Sequence, residues 1–491
     1  LWRGFTRLGI DSKIFTPDRI KEGYGLNRRI VDQTLEEGRD LLITCDNGIA
    51  ANEAVAYAKE HGLQVIVTDH HEPQEILPEA DTILDPKLPG ETYPFKGLCG
   101  AGVAFKLICA LYEKMGIDRQ EAYDLLEFVA IATVADVMEL VEENRILVKE
   151  GLKRLEQTAN PGLRALIKVQ DLQDKTLTAT HIGFVIGPCF NAAGRISSVE
   201  KSFELLMEED EKKALDRAQE LKKINDARKQ MTEEGALQAY QSIDRELEEK
   251  GQIPDVLVVL LKDVHESLAG IIAGRIKEKY NHPTIAFTEP EPGIIKGSGR
   301  SIEAYDMFAE LMKVKDLMIR FGGHKMAAGM TLEKKDIEEL RKRLNQASTL
   351  TEEDFRPVVE IDAAMPVGYV TERLIEEFSL LEPFGTGNRK PVFAEQHFRV
   401  LGARILGQEK NILKLQVMNE YGNRTDAMLF RGKEEFEELI VSEWGGGELK
   451  RMYQGRENDI DVALTYYPTI NEFRGVRSIQ IVVGSFCRIK K

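Results

Sequence analysis

No apolar run reaches the ~18 residues that a membrane-spanning helix needs, so no membrane span is expected. No secretory signal peptide is recognisable at the start. Cysteine is scarce. Cys45, Cys99, Cys109, Cys189 and Cys487 are scattered, and no two form a C-x-x-C pair. That excludes a zinc ribbon and a disulfide framework, and it suits a reducing cytoplasm. An excess of positive charge is also lacking. Lys+Arg number 66 against 82 Asp+Glu, a formal net charge of −16. A nucleic-acid site would therefore be a local basic groove on an acidic body. No low-complexity tract or solenoid-period repeat is present.

What remains is ordinary globular material, 43% hydrophobic and 30% charged. Its 491 residues suggest about three domains at roughly 150 residues each. Residues 1–150 alternate short apolar runs with helical patterns. Leu41–Cys45 ends at Asp46-Asn47-Gly48, Val65–Thr68 at Asp69-His70-His71, and Thr82–Leu84 at Asp85-Pro86. A helical stretch opening near Asn52 separates the first two runs, which makes a βαβ unit with parallel strands. Residues 151–253 read as a helical connector. Within it, 200–250 carries 15 acidic and 10 basic residues with few breakers, as a solvated helix face does. Residues 254–350 return to alternation, a smaller α/β domain with Gly297–Ser301 expected as a loop and Gly322-Gly323-His324 expected to open a turn before Ala327. After a linker, 357–491 reads as β-rich, five strands and one helix, an OB-type barrel. It holds 18 basic and 20 acidic residues, so the other −14 lies in residues 1–356.

Asp46 and Asp69 each follow an apolar strand, and ligands of open parallel sheets bind outside the carboxyl ends of the strands. Neighbouring strands lie about 4.8 Å apart, so Asp46 and Asp69-His70-His71 should share one crevice. Carboxylates with imidazole suit Mn²⁺ or Mg²⁺. Asp46 could equally cap a helix, and the histidines could be loop surface. Two such strand ends together favour a metal. Asp136, at the end of the apolar run 128–135, offers a further oxygen.

Val67-Thr68-Asp69-His70-His71 resembles the signature of the DHH phosphoesterases. Thr44–Ile49 resembles the metal motif before it and Ala132–Val137 the one after it. Arg19–Leu26, Asn191-Ala192-Ala193-Gly194-Arg195, His265-Glu266, Gly322-Gly323-His324 and Leu381–Asn388 resemble, in order, segments of the RecJ-type exonucleases within that superfamily. The resemblance implies a DHH domain, a DHHA1 domain and an OB domain, and a 5′→3′ exonuclease of single-stranded DNA using Mn²⁺ or Mg²⁺ at a two-metal site. It implies Asp46, His70 and Asp136 as metal ligands, Asp69 as a ligand or a close supporting carboxylate, and His71 at the catalytic site. Arg195, Arg275, Ser298, Arg300, Gly322, Gly323 and His324 would hold substrate. Guanidinium forks and glycine-rich backbone are suited to phosphate. Tyr466, Tyr467, Phe473, Arg474 and Arg477 are candidates for base stacking and backbone contact. Single-strand-binding protein and a helicase are the partners it suggests.

Two departures stand out. The family's opening Asp-x-Asp motif is not seen, and Leu1-Trp2-Arg3-Gly4-Phe5 reads as the inside of a helix, so the chain is expected to begin in mid-domain and to lack full activity. Cys189 stands where the family usually has Arg, putting one phosphate contact in doubt. Two rival readings follow: a phosphatase of short oligonucleotides, against which the β domain speaks, and a non-catalytic DNA-binding scaffold, against which the retained Asp46, Asp69, His70, His71 and Asp136 speak.

Overall fold

The computed structural model describes residues 1–17, 23, 25–407, 410–473 and 475–489. Most of the Arg19–Leu26 segment, and Arg474, lie outside the described residues. The chain divides into two compact units, Leu1–Pro357 and Val358–Lys491. Among the described residues no helix is long and apolar enough to cross a membrane.

After helices Trp2–Arg7 and Arg28–Glu36, the first unit forms a parallel three-stranded sheet of β1 (Leu41–Ile43), β2 (Gln64–Thr68) and β3 (Thr82–Leu84), in that order. Along β2, Val65 and Val67 are buried. They pack with Val31, Leu42 and Val55, the last on α1 (Asn52–Glu60). Helices α2 (Gly100–Lys114) and α3 (Leu126–Ala135) follow. α3 is apolar almost all round, as a helix buried between others must be, and Ala130 and Ile131 enter a core built from helices.

α4 (Gly187–Ile196) leads to α5 (Glu211–Lys250), a single helix of 40 residues. The Asp210 carboxylate accepts from the Lys213 N–H at its start, and Gly251 at φ 74° ends it, the two residue types such boundaries favour. Its small buried residues Ala214, Ala218, Ala236 and Ala239 let other elements pack closely along one side.

The second sheet runs β4 (Leu257–Leu260), β5 (Thr284–Glu291), β6 (Ile294–Arg300), β8 (Ala327–Glu333), β7 (Met318–His324) in spatial order. α6 (Ala269–Tyr280) connects β4 to its parallel neighbour β5. One expectation changes here. Ser298-Gly299-Arg300 is strand, not loop, while Gly322-Gly323-His324 ends β7 and leads into the turn at Lys325-Met326. Glycine is a weak strand former, but each of these residues is registered against β8, and the pairing decides.

The second unit is a five-stranded barrel of β10 (Phe393–Leu406), β11 (Ile412–Asn419), β12 (Arg424–Leu429), β13 (Asp461–Phe473) and β14 (Val476–Arg488). The pairing of β10 with β11 closes it, and β9 (Ala363–Ala364) pairs with the start of β10 opposite β13. Two helices, α7 (Lys433–Trp444) and α8 (Gly446–Tyr453), rather than one, lie between β12 and β13. Phe398, Leu415, Ala427, Val462 and Ile481 are among its core residues.

Candidate metal centre and phosphate-holding face

The end of β1 is fastened to the end of β2. The Thr44 N–H donates to Ile66 O at 3.0 Å and the Asp46 N–H to Thr68 O at 3.1 Å. Thr68 Oγ1 donates to Thr44 O at 2.7 Å. Asp46 itself has φ 63°, a left-handed conformation that Asp enters more readily than most residues. Gly48 (φ 116°) supports it, since a Cβ there would stand 2.6 Å from Thr44 Oγ1.

His70 is buried with its Nε2 aimed between two carboxylates, 2.9 Å from Asp46 Oδ1 and 3.4 Å from Asp136 Oδ2. Neither ring nitrogen has an aligned hydrogen-bond partner. Burial lowers the pKa of His70, but the contact with Asp46 and the charges of Asp136 and Asp69 outweigh it and raise the imidazolium above the ordinary histidine value. Burial, with the charge of Asp46, pushes the Asp136 carboxyl up against the pull of His70. Ligand atoms of Asp46, His70 and His71 lie within 4.8 Å of one another. A buried imidazole facing two carboxylates that repel each other fits a divalent cation. The mixed O,N donor set suits Mn²⁺ or Mg²⁺.

Both carboxylate oxygens of Asp69 are engaged by the chain itself. Its Oδ1 accepts from the His70 N–H at 2.8 Å and lies 2.7 Å from His71 Nδ1, and its Oδ2 accepts from the Ile49 N–H at 2.9 Å. Burial opposes ionisation, but these donors outweigh it and hold the carboxyl below its usual range. Both oxygens are spent on the chain, which fixes His71 and leaves its Nε2 directed elsewhere.

A second cluster joins the helices to the β4–β8 sheet. Arg195 Nη1 donates to Ser267 O at 2.9 Å, and Ser267 Oγ donates back to Arg195 O at 3.1 Å. Arg300 Nη1 donates to Ser298 Oγ at 3.0 Å. Burial lowers Arg300, and the charge of Arg195 adds to it. Arg228 on α5 is lowered by burial and then by the charges of Arg195 and Arg275. Arg195 thus bears on both Arg300 and Arg228, and Arg275 on Arg228, inside an acidic protein. Arg228 escapes sequence inspection because it lies in the charged 200–250 run.

Pairing across β6, β8 and β7 puts Arg300, Ala327 and His324 in one row, and Ser298, Gly329 and Gly322 in another. Residues two apart share a face. Arg300 and His324 therefore flank, about 10 Å apart over two strand spacings, a bed of small residues. Gly322 and Gly329 are exposed, with open space where a Cβ would stand. Gly323 allows the last pairing, because a Cβ there would meet Ala327 O at 2.4 Å.

In the second unit Tyr466 is core, not a stacking face: it is 2% exposed and its hydroxyl donates to Met365 O. Arg477 pairs with Glu372 and Glu376, both at 3.3 Å. Tyr467 is half-buried, with Lys390 Nζ 5.0 Å from its ring centre.

Family models match in series: the DHH family N-terminal domain at residues 1–133, the DHHA1 domain at 254–349 and the RecJ OB domain at 361–485. The single-stranded-DNA-specific exonuclease RecJ of Haemophilus influenzae is 33% identical over 96% of this chain and 82% of its own length. The chain belongs to the RecJ family. RecJ of Bacillus subtilis is 39% identical over 89% of this chain, which spans only 54% of that relative. The crystal structure of RecJ in complex with Mn²⁺ from Thermus thermophilus superposes with a TM-score of 0.79 at 27% identity, covering all of this chain and 66% of the other.

One residue that no motif flagged bears on the candidate metal centre. Gly100 opens α2 directly against Asp46, and a Cβ there would lie 2.5 Å from both the Cβ and Oδ1 of Asp46. Gly100→Ala will therefore push Asp46 from its place. Mn²⁺ affinity should fall by about 10- to 100-fold, the usual cost of losing a ligand's support, with the far-UV circular dichroism unchanged. Titration followed by Mn²⁺ electron paramagnetic resonance reads this, and an unchanged affinity would refute it.

Proposed function

We propose that this protein is a metal-dependent 5′→3′ exonuclease hydrolysing single-stranded DNA, acting in recombination and repair. One observation carries the reading: Asp46 and His70 at two strand ends meet Asp136 at a helix end, in the same unit that holds Arg195, Arg228, Arg275 and Arg300. Asp46, His70 and Asp136 would hold Mn²⁺ or Mg²⁺, with Asp69 positioning His71 at the site. Such ions supply Lewis acidity, making water a stronger acid and offsetting charge on phosphate oxygens. The arginines and the Gly322–Gly329 bed hold the strand, and His324 closes the bed's far edge. A mononucleotide needs no bed of this length. Single-strand-binding protein and a helicase suit such an enzyme as partners. The cytoplasm suits it as a setting, since all five cysteines are free thiols.

The test is a 3′-labelled oligonucleotide, single-stranded or duplex, incubated with the chain and Mn²⁺. Selective binding of the single strand and shortening from its 5′ end, stopped by EDTA, is the expected result. Internal cuts, or equal binding of duplex, would overturn the proposal. The bed gives a second prediction. Gly329→Leu fills open space at a position with ordinary backbone angles, so the melting temperature should hold while single-strand affinity falls several-fold in fluorescence anisotropy. Unchanged affinity would remove the bed from the strand's path.

A further inference from the structure

Residues Ile182–Ile186 form a single π-helical turn between Ala179–His181 and α4. Such turns are rare and occur frequently at functional sites. This one rests on α3, the helix that ends at Asp136. A Cβ on Gly183 would lie 3.5 Å from Val134 Cγ1, and one on Gly187 3.2 Å from the Cβ of Ala135. Between those two contacts Phe184 turns away from the core and is 69% exposed. On the facing element Val137, next to Asp136, is 67% exposed and has φ 58°. A β-branched residue enters that region only at a cost, and such strain gathers at working sites.

From Phe184 a partly exposed stripe continues at helical spacing through Pro188 and Asn191 to Arg195. One end of the stripe adjoins the Asp136 helix, and the other is bonded to Ser267 within the arginine cluster. An aromatic ring left in water adds little to the core. At the start of a track that ends in guanidinium groups, it offers a π-face to a nucleobase.

We propose that Phe184 is a substrate-stacking residue, taking the base of a nucleotide at the metal centre while Arg195 and its neighbours hold phosphates farther along. This rests on the single-strand exonuclease reading and adds to it a contact with the base. Stacking tolerates every sequence, as an exonuclease requires.

The test uses the full chain in EDTA and oligonucleotides carrying 2-aminopurine at successive positions from the 5′ end. In the intact chain, binding should quench one position near that end. Phe184→Ala should release that quench and weaken single-strand binding roughly tenfold. Phe184→Trp should restore both. An abasic strand of equal length should bind the intact chain and both variants alike. Phe184→Ala with quench and affinity intact, or with the same loss on the abasic strand, would overturn the proposal alone. Failure of the intact chain to bind any single strand would overturn the exonuclease reading itself.

Discussion

His70→Asn will abolish Mn²⁺ binding at the β1–β2 strand ends and lower hydrolysis by about a thousandfold or more. The imidazole is 6% exposed and stands between Asp46 and Asp136 with no aligned hydrogen-bond partner of its own. Without it, two carboxylates are left facing each other with their bridging donor gone, so the cost falls on metal affinity before it falls on chemistry. Lewis-acid catalysis supplies several kcal/mol, and each ~1.4 kcal/mol is a factor of ten. Asn keeps some polarity and part of the volume, which limits the cavity cost that Ala would add in a buried site. Asp136→Ala should behave alike. Asp69→Asn should differ, costing about 10- to 100-fold, because it loosens His71 and the Ile49 turn rather than removing a ligand. Isothermal titration with Mn²⁺, paired with rates on a labelled single strand, separates the two classes. Near-normal Mn²⁺ affinity in His70→Asn would end the assignment.

That graded series also marks where sequence reading stops. Strand, helix, strand at short spacing forces parallel neighbours, and parallel neighbours force their carboxyl ends together. The meeting of Asp46 with His70 was legible for that reason. Which oxygen of Asp69 goes where was not, because it depends on the Ile49 turn and on how His71 folds back. Gly100 was invisible because its role is an absence of bulk against a residue 54 positions earlier in the chain. The glycine-rich segment 297–300 reads locally as a loop, yet β8 pairs with it, as it does with 322–324, and makes it strand. Their flatness then becomes the bed. The arginine cluster spans α4, α5, α6 and β6, and no periodicity in one element reports on the other three.

Arg228 follows from that last point, and its replacement should move stability and binding in opposite directions. Its Nε donates to Asn225 Oδ1 at 3.1 Å, while the neighbouring charges that act on it most are those of Arg195 and Arg275. Like charges held together in a half-buried place cost the free protein stability, and a phosphate entering between them recovers it. Arg228→Met keeps the side chain's apolar length and removes the charge. The melting temperature should therefore stay level or rise, while single-strand affinity falls about tenfold or more. Each phosphate contact contributes roughly −0.7 to the slope of log K against log salt for single strands, so the slope should flatten by about that amount. Arg228→Lys should keep the slope and lose part of the affinity, because ammonium cannot grip two phosphate oxygens as the guanidinium fork does. A lower melting temperature with unchanged slope would mean that Arg228 only holds Asn225 in place. A flattened slope in a protein no less stable would mean that the long helix, which reads in sequence as solvated surface, carries part of the strand's path.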